Sequence, residues 1–180
     1  NGTANLLTTA KQYDIPTDDI TATIKSLDYH SDTSETAEEL MSGTQRILEA
    51  RGEHGASHDQ AITFVKKLDY YADKSTRADE LGEGAAKLIE TCDQYDVSHD
   101  QAIKLFQKLD YYADKSTRAH ELADGTVKLI EVSDKYDVSH DQVIKLFQKL
   151  DYYADSSTKA HELADGTVRL VEACDTYDIS

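Results

Sequence analysis

The tripeptide Leu-Asp-Tyr stands at residues 27–29, 68–70, 109–111 and 150–152, a period of 41 residues kept without one insertion or deletion. Self-similarity at that period is the signature of a solenoid, whose units bury their apolar faces only by stacking on one another. Residues 98–138 and 139–179 agree at 32 of 41 positions, and residues 57–97 and 98–138 at 29, but residues 16–56 and 57–97 at only 12. A divergent first unit reads as a cap, because one of its faces meets water instead of another repeat. It is also the most acidic unit, carrying −6 against −4, −2 and −4 in the three that follow. The domain reading is therefore one array over residues 1–180: a half-unit at 1–15, the cap-like repeat 16–56, and three closely related repeats at 57–97, 98–138 and 139–179. The chain starts in mid-repeat, with Gly2-Thr3 matching Gly125-Thr126, and stops in phase with a repeat boundary. That phase predicts a segment of a longer array.

Within residues 98–138, Ala102, Leu105, Phe106, Leu109, Tyr112 and Ala113 recur at three-and-four spacing and form one stripe of an α-helix. A second stripe runs through Ala119, Leu122, Leu129, Ile130, Ser133 and Tyr136. Each unit thus holds an antiparallel helix pair, and the fold expected is an all-α solenoid of about nine helices. Ser57, Ser98 and Ser139 are followed three residues later by Gln60, Gln101 and Gln142, the capping box that opens a helix. Val97 with Ala102, and Val138 with Val143, sit at the offsets of a hydrophobic staple. The second helix of each pair is expected to start near Ser75, Ser116 and Ser157. Gly43, Gly84, Gly125 and Gly166 recur inside it, where glycine costs about 1 kcal/mol relative to alanine. Close approach of a neighbouring backbone offsets that cost more simply than a kink does. Helix pairs of this kind resemble tetratricopeptide and HEAT arrays in architecture alone, since the Trp, Gly, Tyr and Pro signature of the former is absent in order and spacing.

Charge narrows the function. A net charge of −16 opposes nucleic-acid binding, which depends on neutralising phosphates with lysine and arginine. No apolar run is long enough for a membrane span. Asp100 with Lys104, Asp124 with Lys128, Glu131 with Lys135, Asp141 with Lys145 and Asp165 with Arg169 read as pairs four residues apart along one helix. His58, His99, His140, His120 and His161 read as surface residues, and Asp93, Asp96 and Asp100 lack the loop of an EF-hand, so no metal or cofactor is expected. Cys92 and Cys174 lie two repeats apart, beyond disulfide reach, and read as unpaired filler.

Tyr70, Tyr111 and Tyr152, with Lys67, Lys108 and Lys149, make the one suggestive pattern, an aromatic and basic ladder. Packing against the next repeat is the expected task of Tyr111, with contact with a partner as its rival. No catalytic motif appears, and near-identical repeats supply the same groups at every step, so an enzyme is not expected. The reading is a non-enzymatic spacer or stalk in a large, cell-surface type of repetitive protein, monomeric, with end-to-end contacts open to it. Its alternatives are a scaffold that holds a peptide, a helix or a repetitive partner on a concave face through the ladder, and a filament segment. The sequence does not name a compartment: repetition suits a cell-surface or secreted stalk, while unpaired Cys92 and Cys174 also suit a reducing cytoplasm.

Overall fold

The computed structural model describes residues 2–31, 36–72, 76–113, 117–154 and 158–177. Among these residues the chain forms nine helices and no strand: α1 Gly2–Gln12, α2 Thr17–His30, α3 Ala37–His54, α4 His58–Tyr71, α5 Ala78–Gln94, α6 His99–Tyr112, α7 Ala119–Lys135, α8 His140–Tyr153 and α9 Ala160–Thr176. They stack in two layers. The odd-numbered helices contact one another in order, the even-numbered ones do the same, and each even helix also packs on the odd helix that follows it. This is an α-solenoid of helix pairs in the 41-residue register.

The even helices obey their caps. Ser57, Ser98 and Ser139 accept from the backbone N–H of Gln60, Gln101 and Gln142 at 3.2, 3.3 and 3.3 Å. The glutamine side chains return the bond, Gln101 Oε1 accepting from the Ser98 N–H at 3.1 Å. Ala102, Leu105, Phe106 and Leu109 of α6 are buried in the core stripe, while Ala113 lies just past the helix end and donates its N–H to Leu109 O at 3.1 Å.

The connection from odd to even helix is equally determined. Asp96 and Asp137 sit at φ of 51° and 50°, in the left-handed region. The N–H groups of Val97 and Val138 donate back to Cys92 O and Ser133 O at 2.9 Å. This six-to-one bond closes a Schellman motif, which satisfies helix-end carbonyls and reverses the chain in about two residues. Gly55 occupies the equivalent position at φ 67°. A left-handed conformation costs an L-residue about 1–2 kcal/mol. Relief of that strain in Asp137→Gly, less about 0.5–1 kcal/mol of added backbone entropy in the unfolded chain, should stabilise the protein by up to about 1 kcal/mol, read as a higher urea midpoint.

Two sequence expectations need correction. The second helices begin at Ala78, Ala119 and Ala160, and Ser75, Ser116 and Ser157 lie outside the described residues. Their N-caps are Arg77, Arg118 and Lys159, which offer no side-chain acceptor. Only the returning half of the box forms, with Glu121 accepting from the Arg118 N–H at 3.0 Å and Glu162 from the Lys159 N–H at 3.0 Å.

The second correction concerns charge. Lysines reach sideways across the seam to the next repeat instead of along their own helix: Lys87 to Asp124 at 2.7 Å, Lys104 to Asp141 at 2.7 Å, Lys128 to Asp165 at 2.5 Å and Lys135 to Glu172 at 3.8 Å. Among the described residues Lys87 alone adds a pair four residues away, to Glu83 at 3.0 Å. A second row runs the other way, with Arg77 on Glu39 at 2.6 Å, Arg118 on Glu80 at 3.3 Å and Lys159 on Glu121 at 3.9 Å. Burial pushes the Glu121 carboxyl up, but the Arg118 N–H and the cations around it outweigh burial and hold its pKa below the usual value. The lateral partner prevails because neighbouring helix axes stand only about 8–10 Å apart, within reach of a long lysine side chain.

Candidate interaction surface

Tyr70, Tyr111 and Tyr152 are 76, 74 and 75% exposed. They end the outward stripe of the even helices, which in α6 runs through Asp100, Lys104, Gln107 and Tyr111. Packing against the next repeat is therefore not the task of Tyr111. That task falls to the adjacent residue: Tyr71 meets Phe106 of the next repeat with ring centroids 5.8 Å apart, and Tyr112 meets Phe147 at 5.9 Å. Residues one apart on a helix point about 100° from each other, so Tyr71 and Tyr112 turn in to the seam and Tyr70 and Tyr111 turn out; in the last pair Tyr153 is exposed as well.

Each ring of the row stands edge-on against the tyrosine that follows it, at 4.9 Å for Tyr70–Tyr71, Tyr111–Tyr112 and Tyr152–Tyr153. The row also has a member that the ladder in the sequence analysis left out. Tyr29 is 82% exposed and stands edge-on to His30 at 4.9 Å. Its signal was the Leu-Asp-Tyr register itself, although Ser26 takes the place of the lysine there. Lys67 and Lys108 bring their amines to 6.0 and 5.7 Å from the centroids of Tyr70 and Tyr111. Among the described residues Lys149 makes no such approach to Tyr152, and none of the three lysines enters an ion pair. The row lies on the solvent-exposed side of the even layer.

The odd layer presents a different surface. An open groove of about 540 Å³ runs between α5 and α7, lined by Lys87, His120, Asp124, Lys128 and His161 among others. Its charges already serve the seams just described. The histidines are seam residues rather than free surface groups: His120 Nδ1 lies 3.6 Å from Glu80 and His161 Nδ1 lies 3.9 Å from Glu121, each acid belonging to the preceding repeat. No group of three or more metal-ligating side chains occurs among the described residues. Cys92 is buried, and burial pushes its thiol up to about 12, which leaves it inert at neutral pH. Cys174 is half-buried in the last helix.

His99 shows what the seam costs. Its ring lies against Phe64 of the preceding repeat, centroids 5.1 Å apart, with Nδ1 3.1 Å from Gln60 Nε2. Burial holds its pKa below the ordinary 6.5, partly offset by Asp100, and burial lowers His140 as well. A folded pKa below the unfolded one means that the unfolded chain takes up the proton first, so stability is full above the ordinary value and falls as pH drops through it. The urea midpoint should therefore fall between pH about 7.5 and about 5.5, and His99→Gln should flatten part of that slope.

Together these layers, caps and seams define an α-solenoid repeat protein. No protein family, no curated protein and no solved structure matches the chain. No helix among the described residues is long and apolar enough to cross a membrane.

Proposed function

We propose that this chain is a non-enzymatic spacer, a stiff segment that holds its two ends a set distance apart. The observation that carries this reading is the seam. Every junction between successive full repeats is stitched by lateral ion pairs, as in Arg77–Glu39, Lys87–Asp124 and Lys128–Asp165, and the last two also by an aromatic contact, Tyr71–Phe106 and Tyr112–Phe147. These contacts lie on both layers, so bending a junction either way has to open some of them. A recognition scaffold varies its contact face to read an asymmetric partner, whereas residues 99–114 and 140–155 differ only at Ala102 against Val143. Sameness of this kind lets length change by whole repeats without altering the surface.

The test is a chain lengthened by one further copy of residues 98–138. Its longest dimension by small-angle scattering should grow by about 10 Å, one helix layer, with both chains monomeric by light scattering. An unchanged length would refute the spacer. A defined oligomer would replace it with the filament reading.

A further inference from the structure

A spacer leaves the tyrosine row without a task. We propose that Tyr29, Tyr70, Tyr111 and Tyr152, with Lys67, Lys108 and Lys149, form a docking surface for an acidic, proline-rich segment in the polyproline II conformation, one turn of the ligand to each repeat.

Four grounds converge on it. The rings are exposed by 82, 76, 74 and 75%, one on each even helix. Tyr70 and Tyr111 are also held in place, because each stands edge-on to an inner ring, Tyr71 or Tyr112, that is itself anchored on Phe106 or Phe147 of the next repeat. An exposed aromatic mounted on a half-buried one loses little conformational freedom on binding, which is what makes tyrosine an efficient contact residue.

The third ground is the ordinary spacing of packed helices. Neighbouring helices in a layer stand about 8–10 Å apart, and a polyproline II helix advances about 9 Å in each three-residue turn. A segment laid across the even layer would therefore bring the same face of each turn to successive tyrosines. The proline ring would lie on the aromatic face, as in other aromatic-lined sites for such ligands. The backbone carbonyls of polyproline II carry no internal hydrogen bonds, so each is available to accept from a tyrosine hydroxyl.

Charge is the fourth. On a chain of net charge −16 the three lysines are cations without an ion-pair partner among the described residues, and Lys67 and Lys108 sit beside the rings of Tyr70 and Tyr111. The acids next to them are not free: Asp69 holds His30 at 2.7 Å, and Asp110 and Asp151 are likewise engaged. The row therefore offers cations and aromatic faces, and a complementary ligand carries carboxylates between its prolines.

The probe is a synthetic peptide of four Pro-Pro-Glu triplets, titrated into the full chain by calorimetry at low and moderate salt, with four Gly-Gly-Glu triplets as the flexible control. Saturable binding is expected, with the control at least about tenfold weaker. Tyr111→Ala should weaken binding about tenfold or more. Lys108→Glu should weaken it further at low salt than at moderate salt. Both side chains lie outside the core, and an unchanged thermal melt verifies that each variant folds. Absence of saturable binding, equal binding of the glycine peptide, or indifference to both substitutions would each overturn the proposal. So would tyrosine-dependent binding of polygalacturonate in place of the peptide.

Discussion

Phe106→Ala is expected to remove about 3–5 kcal/mol of stability and to split one unfolding transition into two. The side chain is 0% exposed and lies among the buried residues of α6. Truncation forfeits the transfer energy of the ring and leaves a cavity that helices pinned by caps at Ser98 and by the Schellman turn at Asp96 cannot close. It also takes away the surface on which Tyr71 of the preceding repeat rests, at 5.8 Å. The loss thus falls partly inside one repeat and partly on the junction between two. In a linear array, stability is a sum of repeat terms and nearest-neighbour terms, and cooperativity depends on the second. Weakening a central junction should let α6–α9 melt before α1–α5, seen as a biphasic urea curve by circular dichroism with a shallower apparent slope. A single transition, even one displaced by the full amount, would show that Phe106 packs within its own repeat and does not carry the junction. Tyr111→Ala, one residue from the seam tyrosine but pointing to solvent, is the matched control and should barely move the curve.

That contrast between neighbours shows where sequence reading succeeds and where it stops. The capping serines and the alternation of Tyr111 and Tyr112 are local, set by which residue lies one or three positions away, and a linear string contains that information. The starts of α5, α7 and α9 were harder because Arg77, Arg118 and Lys159 occupy the N-cap, leaving Glu80, Glu121 and Glu162 as half a signature. The ion pairs were misread for a different reason. Asp124 is four residues from Lys128 and 37 from Lys87, and the longer separation wins only once the repeats are stacked. Seen with the period in hand, 37 is one repeat less one helical turn, so the lateral pairing follows from the fold and not from the local string. The tyrosine row lies between these cases: its exposure is local, but its regular spacing across helices exists only in the stack.

The glycines carry the same lesson to a change of sign. Gly43, Gly84, Gly125 and Gly166 occupy one position of the repeat, yet alanine there should destabilise at the first and stabilise at the last. A Cβ on Gly43 would run into the carbonyl oxygen of Ala78 and lie 3.2 Å from Leu27 Cδ1. Opposite it stands Gly82, whose own Cβ would strike the Gly43 backbone, so α3 and α5 cross with glycine on both sides. In later repeats Ala123 and Ala164 replace Gly82, and they stand 3.2 and 3.3 Å from where a Cβ on Gly84 or Gly125 would fall. Those junctions are set one methyl wider, and α3 with α5 is the close one. Gly43→Ala meets backbone that cannot yield without moving a whole helix, and overpacking of that kind costs about 1–3 kcal/mol, more than the gain of about 1 kcal/mol in helix propensity. At Gly166 a Cβ would meet only Leu150 Cδ1 at 3.4 Å, an ordinary contact with a flexible side chain. Gly166→Ala should therefore keep most of that propensity gain of about 1 kcal/mol. Urea midpoints of the two variants on opposite sides of the parent would show that this glycine is held by helix-to-helix contact. Equal stabilisation by both would mean that α3 and α5 have room to part.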